Sequence, residues 1–550
     1  MRARECILLV PTLLLAACGH VLGLPSARTH MVPMRDGTAL AADVYLPDGP
    51  GPFPTVLMRT TYNKDAKAAG IKLAQAMGKP FVDDGYAFVA QDTRGRFASA
   101  GVDSIFLTDG VGPNQDGYDT IEWIVNQPWS NDSVGMLGMS ALGITGYMAA
   151  ASGHPALTCA VITAAGSNLY GDIFYPGGVY RQSMSDGWVT AQNRTAFLPF
   201  LYAHPDYDEV WRRVDLTARP ESAHAAIYHW GGWFDCMSQG QTDAFRTLQE
   251  RGGEGARGRQ MLVMGPWSHG GVGPKQGELT YPSNGTAVNP AAETKAWFDR
   301  YLKGRPSAVD TLPAVRYYLM GDVSDSTAPG NVWMSAPTWP PPGMTPASYY
   351  LRADGLLATS APGGEAPQSY RYDPRDPVPT KGGLNLFPPI GPADLRLNEA
   401  RSDVLSFTTP PLERPVAIAG KVRVRLFASS SARDTDFMAL LTDVYPDGRS
   451  MLVLDGAIRA RHRVSMSRGD FLEPGEVYEF DINLWDTALV FNRGHRIRVD
   501  ITSSNAPRFQ PNPNTATPFR ADGVGVVATN TIYHDREHPS ALILPVIPLE

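Results

Sequence analysis

Seven short, mostly apolar runs constrain this chain most. They fall at residues 39–46, 55–59, 86–91, 134–138, 159–164, 225–230 and 260–264. Continuous apolar runs of this length suit parallel strands buried on both faces. Helix-like stretches separate several of them. "YDTIEWIVNQ" carries Ile121, Ile124 and Val125 at helical spacing, with Asp119 placed to cap. "ALGITGYMAAAS" and "SQGQTDAFRTLQ" behave alike. Strand alternating with helix predicts an α/β fold: a parallel sheet covered on both faces.

The alternation breaks between residues 172 and 222, where "VYRQSMSDGWVTAQ" has helical spacing. This segment reads as a helical cap inserted over the carboxyl edge of the sheet. Past residue 312 the character changes again. A Pro-rich stretch, "PTWPPPGMTPASYYLR", leads into short alternating strands such as "KVRVRLFAS", "YEFDINLW" and "HRIRVDITSS". These predict an antiparallel β-sandwich, a jelly roll. A chain of 550 residues exceeds a single core. The expected layout is a leader over 1–25, an α/β unit over 26–171 and 223–312 with the cap at 172–222 between its halves, and the jelly roll over 313–550.

The leader follows from residues 2–18. Arg2 and Arg4 precede the apolar run "ILLVPTLLLAA", which is too short to span a bilayer and suits a signal sequence. It ends in "LAAC", a lipobox-like boundary at Cys18. The expectation is an exported protein, lipid-anchored at Cys18 or released by ordinary signal cleavage. Export leaves Cys159 and Cys236 in the body. If they sit at opposite ends of neighbouring parallel strands, they cannot pair. A net charge of -7 without a basic stripe argues against a nucleic-acid partner.

The stretch "VGMLGMSALGITGYMAAAS" reads as strand, sharp turn and helix, with Ser140 at the turn. A serine hydroxyl needs a base to take its proton and an acid to orient that base. Where the nucleophile sits on such an elbow, acid and base follow in the order Ser, then Asp or Glu, then His, each past a strand end. "IYHWGGWFDCMSQG" puts Asp235 just beyond one strand, and "MLVMGPWSHGG" puts His269 just beyond the next. Gly138 and Gly143 supply the small neighbours an elbow requires, while Leu142 stands where Gly-x-Ser-x-Gly has its second glycine. The amide of Ala141 is one candidate oxyanion donor. The phenol of Tyr62, in the loop "MRTTYNKD", is the other, unless Tyr62 is a plain core residue.

With these stretches and "DGYAFVAQDTRGRFASAG", "QDGYDTIEWIVNQPWSNDSVGMLGMSALG", "NRGHRIRVDITSSNAPRF" and "HPSALILPV", residues 28 to 548 resemble the CocE/NonD hydrolase family. That family groups cocaine-esterase-like enzymes, α-amino-acid ester hydrolases, glutaryl-cephalosporin acylases and X-prolyl dipeptidyl peptidases. The resemblance implies Ser140 as nucleophile, Asp235 as acid, His269 as base, and Tyr62 with the Ala141 amide as oxyanion hole. It implies an α/β-hydrolase domain, a cap and a jelly roll, a small-molecule ester or amide substrate, and no cofactor. Three departures stand out. Ala141 replaces a frequent Tyr, and the cap interval is short. Met237 and Ser238 stand where α-amino-acid ester hydrolases have carboxylates that grip a substrate ammonium. Asp172 is the one acid left nearby.

Trp230, Trp233 and Trp267 flank the triad loops and either line a substrate pocket or belong to the core. His229 reads as a satisfied strand-end histidine, Asp215 and Glu221 as cap surface. His534 and His538 lie between strand-like runs, which does not suit a metal site. The sequence thus predicts a serine esterase. Amide or peptide cleavage on the same triad is the near alternative, and a catalytically silent binding protein the distant one.

Overall fold

The computed structural model describes residue 23 and residues 25–517 and 525–549. The expected lipobox at Cys18 lies outside the described residues. Among them, no helix is long and apolar enough to cross a membrane.

The first sheet has ten strands: β1 (Ala27–Pro33), β2 (Ala39–Tyr45), β3 (Phe53–Thr60), β4 (Ala87–Asp92), β5 (Ser130–Met139), β6 (Leu157–Thr163), β7 (Ala226–Phe234), β8 (Met261–Ser268), β9 (Val315–Leu319) and β10 (Val332–Ala336). Their spatial order is β1-β2-β4-β3-β5-β6-β7-β8-β9-β10. Pairing is parallel from β4 through β9 and antiparallel at both edges. β7 is buried at every residue, His229 included, as a central strand covered on both faces requires.

Six helices matter here: α1 (Leu73–Asp83), α2 (Asp116–Val125), α3 (Ala141–Ser152), α4 (Gln182–Ala191), α5 (Ser238–Arg251) and α6 (Pro290–Leu302). α3 has no polar face, because sheet and surrounding helices bury all its residues from Ala141 to Ala151. Between β6 and β7 the chain is helical, from Leu169–Phe174 through α4 to Pro220–Ser222, in line with a cap.

The sheet runs past residue 312. β9 pairs in parallel with β8, Leu262 opposite Val315, and β10 closes the edge. Those two strands therefore belong with the α/β unit, and the β-rich unit begins at Thr345–Leu351. It is a jelly roll of two antiparallel sheets, one built on the long pairing of Val416–Ser430 with Tyr478–Phe491. Cys159 and Cys236 are both free and buried. Cys159 lies opposite Ala226, at the start of β7, while Cys236 follows its end.

Candidate active site

Ser140 comes directly after β5, and α3 starts at the next residue. Its φ of 58° and ψ of -127° are seldom adopted by a side-chain-bearing residue, and this sharp turn lifts the hydroxyl off the sheet edge. Close packing holds the turn. A Cβ on Gly138 would come within 2.2 Å of the Leu142 carbonyl oxygen, and one on Gly143 within 2.7 Å of the Ala165 side chain.

Because β5, β6, β7 and β8 are parallel neighbours, their carboxyl ends share one edge. Asp235 is the first residue after β7 and His269 the first after β8. His269 Nε2 lies 2.9 Å from Ser140 Oγ, and its Nδ1 lies 2.9 Å from Asp235 Oδ2. Asp235 Oδ1 accepts the Met237 N–H at 2.7 Å, which fixes the carboxylate. With Nδ1–H given to Asp235, Nε2 keeps its lone pair for the serine proton. Burial disfavours a charged His269 ring, but the Cys236 sulfur and the Asp235 carboxylate prevail and hold its pKa well above the ordinary histidine value. Among the described residues, Asp235, Cys236 and His269 are also the one group of three donors close enough to share a metal ion. In this group His269 already spans Asp235 and Ser140.

Tyr62 stands on the turn after β3. Its neighbour Lys64 is buried and bound to Asp43 at 2.9 Å and Asp65 at 2.8 Å, while the Lys64 N–H donates to Asp92 at 2.7 Å. The Tyr62 hydroxyl accepts the indole N–H of Trp188, on α4, at 2.9 Å. Burial raises the phenol pKa, opposed by Trp188, His269, Arg194 and the Ser140 hydroxyl, so the group stays protonated and able to donate. The Ala141 N–H opens α3 and is free of intrahelical partners by its position.

The three tryptophans do not form the pocket. Trp233 donates to the Tyr318 carbonyl at 2.8 Å and packs on Trp339. Trp267 donates to the Gly285 carbonyl at 3.0 Å and packs on Trp333. Trp230 packs on Tyr228 in the core. All three lie within β7 and β8, whose side chains point to the faces of the sheet, whereas the space beside Ser140 lies beyond its edge.

That space is a narrow hollow of about 30 Å³. The loop before α2 gives it Phe106, and α3 gives Ala141 and Ile144. The cap gives Ile173, Phe174, Met184, Ser185 and Trp188, and Met237 and Leu386 close it. Among the described residues, no carboxylate lines it. Ser185 Oγ is buried there without a hydrogen-bond partner among the described residues. The spacing of Met184, Ser185 and Trp188 along one helix was the signal that could have marked these residues.

Asp172 faces elsewhere. It borders a larger cavity of about 300 Å³ between cap and jelly roll, which does not reach Ser140. Its Oδ2 accepts the Ser167 and Asn168 amides, and burial, then Asp243, pushes its pKa up to about 7. Asp215 is not cap surface: it is buried and accepts from Asn168, Tyr207 and Thr217. Glu221 is exposed. His229 is buried between Tyr147 and Gln260, its pKa pushed down to about 3 by burial. His538 pairs with Asp535.

Comparison with known proteins gives this geometry its context. The family model for the X-Pro dipeptidyl-peptidase (S15 family) matches residues 36–199 and 182–271. That for the X-Pro dipeptidyl-peptidase C-terminal non-catalytic domain matches residues 307–543. A cocaine esterase from Rhodococcus sp. is 35% identical over 95% of this chain and 98% of its own. The chain belongs to the CocE/NonD hydrolase family. It is a serine hydrolase of the ester hydrolase or peptidase kind. Two solved structures have the same architecture. An aminopeptidase from a marine sediment archaeon, Thaumarchaeota archaeon, has a TM-score of 0.81 at 27% identity, covering 96% of this chain and 97% of that one. An alpha-amino acid ester hydrolase has a TM-score of 0.80 at 28% identity, covering 95% and 97%. The CocE/NonD fold thus supplies an α/β-hydrolase domain and a C-terminal β-rich domain here too.

Proposed function

We propose that this protein is an exported carboxylic ester hydrolase that works through an acyl-enzyme on Ser140. The observation that carries the reading is the unbroken chain Ser140–His269–Asp235, with both links at 2.9 Å. His269 takes the Ser140 proton as Oγ attacks the ester carbonyl. Asp235 keeps the ring in the right tautomer and stabilises its charged form. The Ala141 N–H and the Tyr62 hydroxyl receive the oxyanion. The His269 proton passes to the leaving alcohol. Water then repeats the sequence and frees the acid.

The acyl group is small and neutral. The hollow is narrow and apolar, and an unpaired ammonium buried there would cost several kcal/mol. Ile173, Met237 and their neighbours offer it no counter-charge. This favours esters over substrates with a free amino terminus. Export rests on the "LAAC" boundary at Cys18. Palmitate labelling that depends on Cys18 would support a lipid anchor.

The test is Ser140→Ala. Fluorophosphonate labelling should vanish, and kcat on p-nitrophenyl acetate should fall by at least about a thousandfold. Turnover retained by the folded variant would overturn the proposal. If Ala-Pro-p-nitroanilide outruns neutral esters in kcat/KM, the peptidase reading replaces the esterase one.

A further inference from the structure

We infer that Trp188 is a positioning residue: its indole N–H fixes the Tyr62 hydroxyl so that the phenolic proton points at the oxyanion, making the oxyanion hole depend on the docked cap. The inference rests on the proposed role of Tyr62. A phenolic O–H rotates about its C–O bond and can point either way in the ring plane. The Trp188 N–H, donating at 2.9 Å, claims the lone pair on one side. The proton is then left for the other in-plane side, and Tyr62 is near enough to the reacting serine for the Ser140 hydroxyl to act on its phenol. A phenol that accepts a hydrogen bond is also a stronger donor, because the two bonds polarise one another.

Trp188 can do this only if it is itself held. Phe106 stacks on its ring at 5.8 Å and 21°. The Arg194 guanidinium sits 5.1 Å from the ring centre. Arg194 is in turn fixed by two bonds to Asp103, at 2.5 and 2.9 Å. Asp103 and Phe106 belong to the loop before α2, whereas Trp188 and Arg194 belong to the cap. The donor that aims Tyr62 therefore comes from the cap, while Tyr62 comes from the sheet. The Ser140–His269–Asp235 bonds involve no cap residue, so a cap that loosens around Trp188 would let the phenolic proton rotate away before those bonds are touched.

A double-mutant cycle separates this role from a simple wall of the pocket. Trp188→Phe removes the N–H and keeps an aromatic ring. It should lower kcat on p-nitrophenyl acetate about tenfold with KM changed less than about threefold, since an aimed donor acts on the transition state. In a Tyr62→Phe background there is no hydroxyl to aim, so the same change should cost less than about twofold. Trp188→His restores a ring N–H and should recover part of kcat. Should Trp188→Phe fail to fold, Trp188→Leu, which also lacks the N–H, read in both backgrounds gives the same comparison. Equal losses in both backgrounds, or a change confined to KM, would overturn the inference and leave the triad untouched. An unchanged kcat in Tyr62→Phe itself would instead remove Tyr62 from the oxyanion hole.

Discussion

Tyr62→Phe deletes one hydroxyl and keeps the ring that fills the turn after β3. If Tyr62 receives the oxyanion as proposed, the cost should appear in kcat, about 10²–10³-fold, with KM little changed, because that charge exists only in the transition state. A loss mainly in KM would make Tyr62 a substrate contact. In the proposed mechanism His269 sets the pH dependence. Its folded pKa is raised, so the neutral base is lost as pH falls through that value. The acid limb of kcat/KM should lie above the ordinary histidine pKa of about 6.5. The sign for stability is opposite. The charged ring's pairing with Asp235 is fully present below the unfolded pKa and lost as pH rises past the folded one. Asp235→Asn removes the carboxylate and should move the limb toward acid while cutting kcat by roughly 10⁴, as a wrong tautomer does. A limb that stays in place, read from a pH profile of kcat/KM, would mean that Asp235 does not act on His269. Ser185 tests the hollow. Its buried hydroxyl has no partner, and an unmet buried hydroxyl costs about 1–3 kcal/mol. Ser185→Ala should therefore leave Tm unchanged or raised and favour wholly aliphatic acyl groups such as propionyl over methoxyacetyl in kcat/KM.

The elements show what could be read from sequence and what could not. The placement of Ser140, Asp235 and His269 at strand ends was legible because each follows a buried strand whose mostly apolar run is local. The order of strands then brings three distant loops to one edge. Which sheet a strand joins is not local. "VRYYL" at Val315–Leu319 has nothing in its own sequence to say that it pairs with β8 rather than with the jelly roll. The tryptophans mislead for a similar reason: proximity in sequence to Asp235 and His269 does not say whether a side chain leaves by a face or by the edge. The hollow's real lining comes from the cap, where Trp188 meets Tyr62 across 126 residues. The tie between cap and loop is testable at this scale. Asp103→Ala would strand the Arg194 guanidinium, whose side chain is only 4% exposed. Breaking one side of a buried pair costs about 3–5 kcal/mol, less whatever water or movement recovers. Limited proteolysis should cut within 182–197 faster, and kcat should fall as the cap loosens. Unchanged proteolysis would mean that the stacked aromatics alone hold α4.

At the scale of the whole molecule, the jelly roll is part of what holds the site. Arg181, buried at the start of α4, donates to the carbonyls of Asp172, Cys236 and Leu384, and so joins cap, triad loop and β-rich unit. Asp486 of the jelly roll accepts from Gln239 at 2.9 Å, Thr242 at 2.8 Å and Trp339 at 3.1 Å, which anchors α5 just past Asp235. Cap and jelly roll also meet backbone to backbone. Gly177 has a φ of +60°, and a Cβ there would fall 1.9 Å from the carbonyl oxygen of Ala457. Gly177→Ala must therefore strain its own backbone and push the two units apart. Gly448 isolates the first effect: its φ is +90°, and a Cβ there would meet nothing within 4 Å. Gly448→Ala should cost only the left-handed strain, about 1–2 kcal/mol. Gly177→Ala should cost several kcal/mol more, since a clash in a tight interface forces atoms to move together. It should also lower kcat, because the displaced segment runs straight into Arg181 and α4. Thermal unfolding of the two variants, followed beside p-nitrophenyl acetate turnover, makes the comparison. Equal losses of Tm would mean that the jelly roll yields freely at this contact and does not brace the cap.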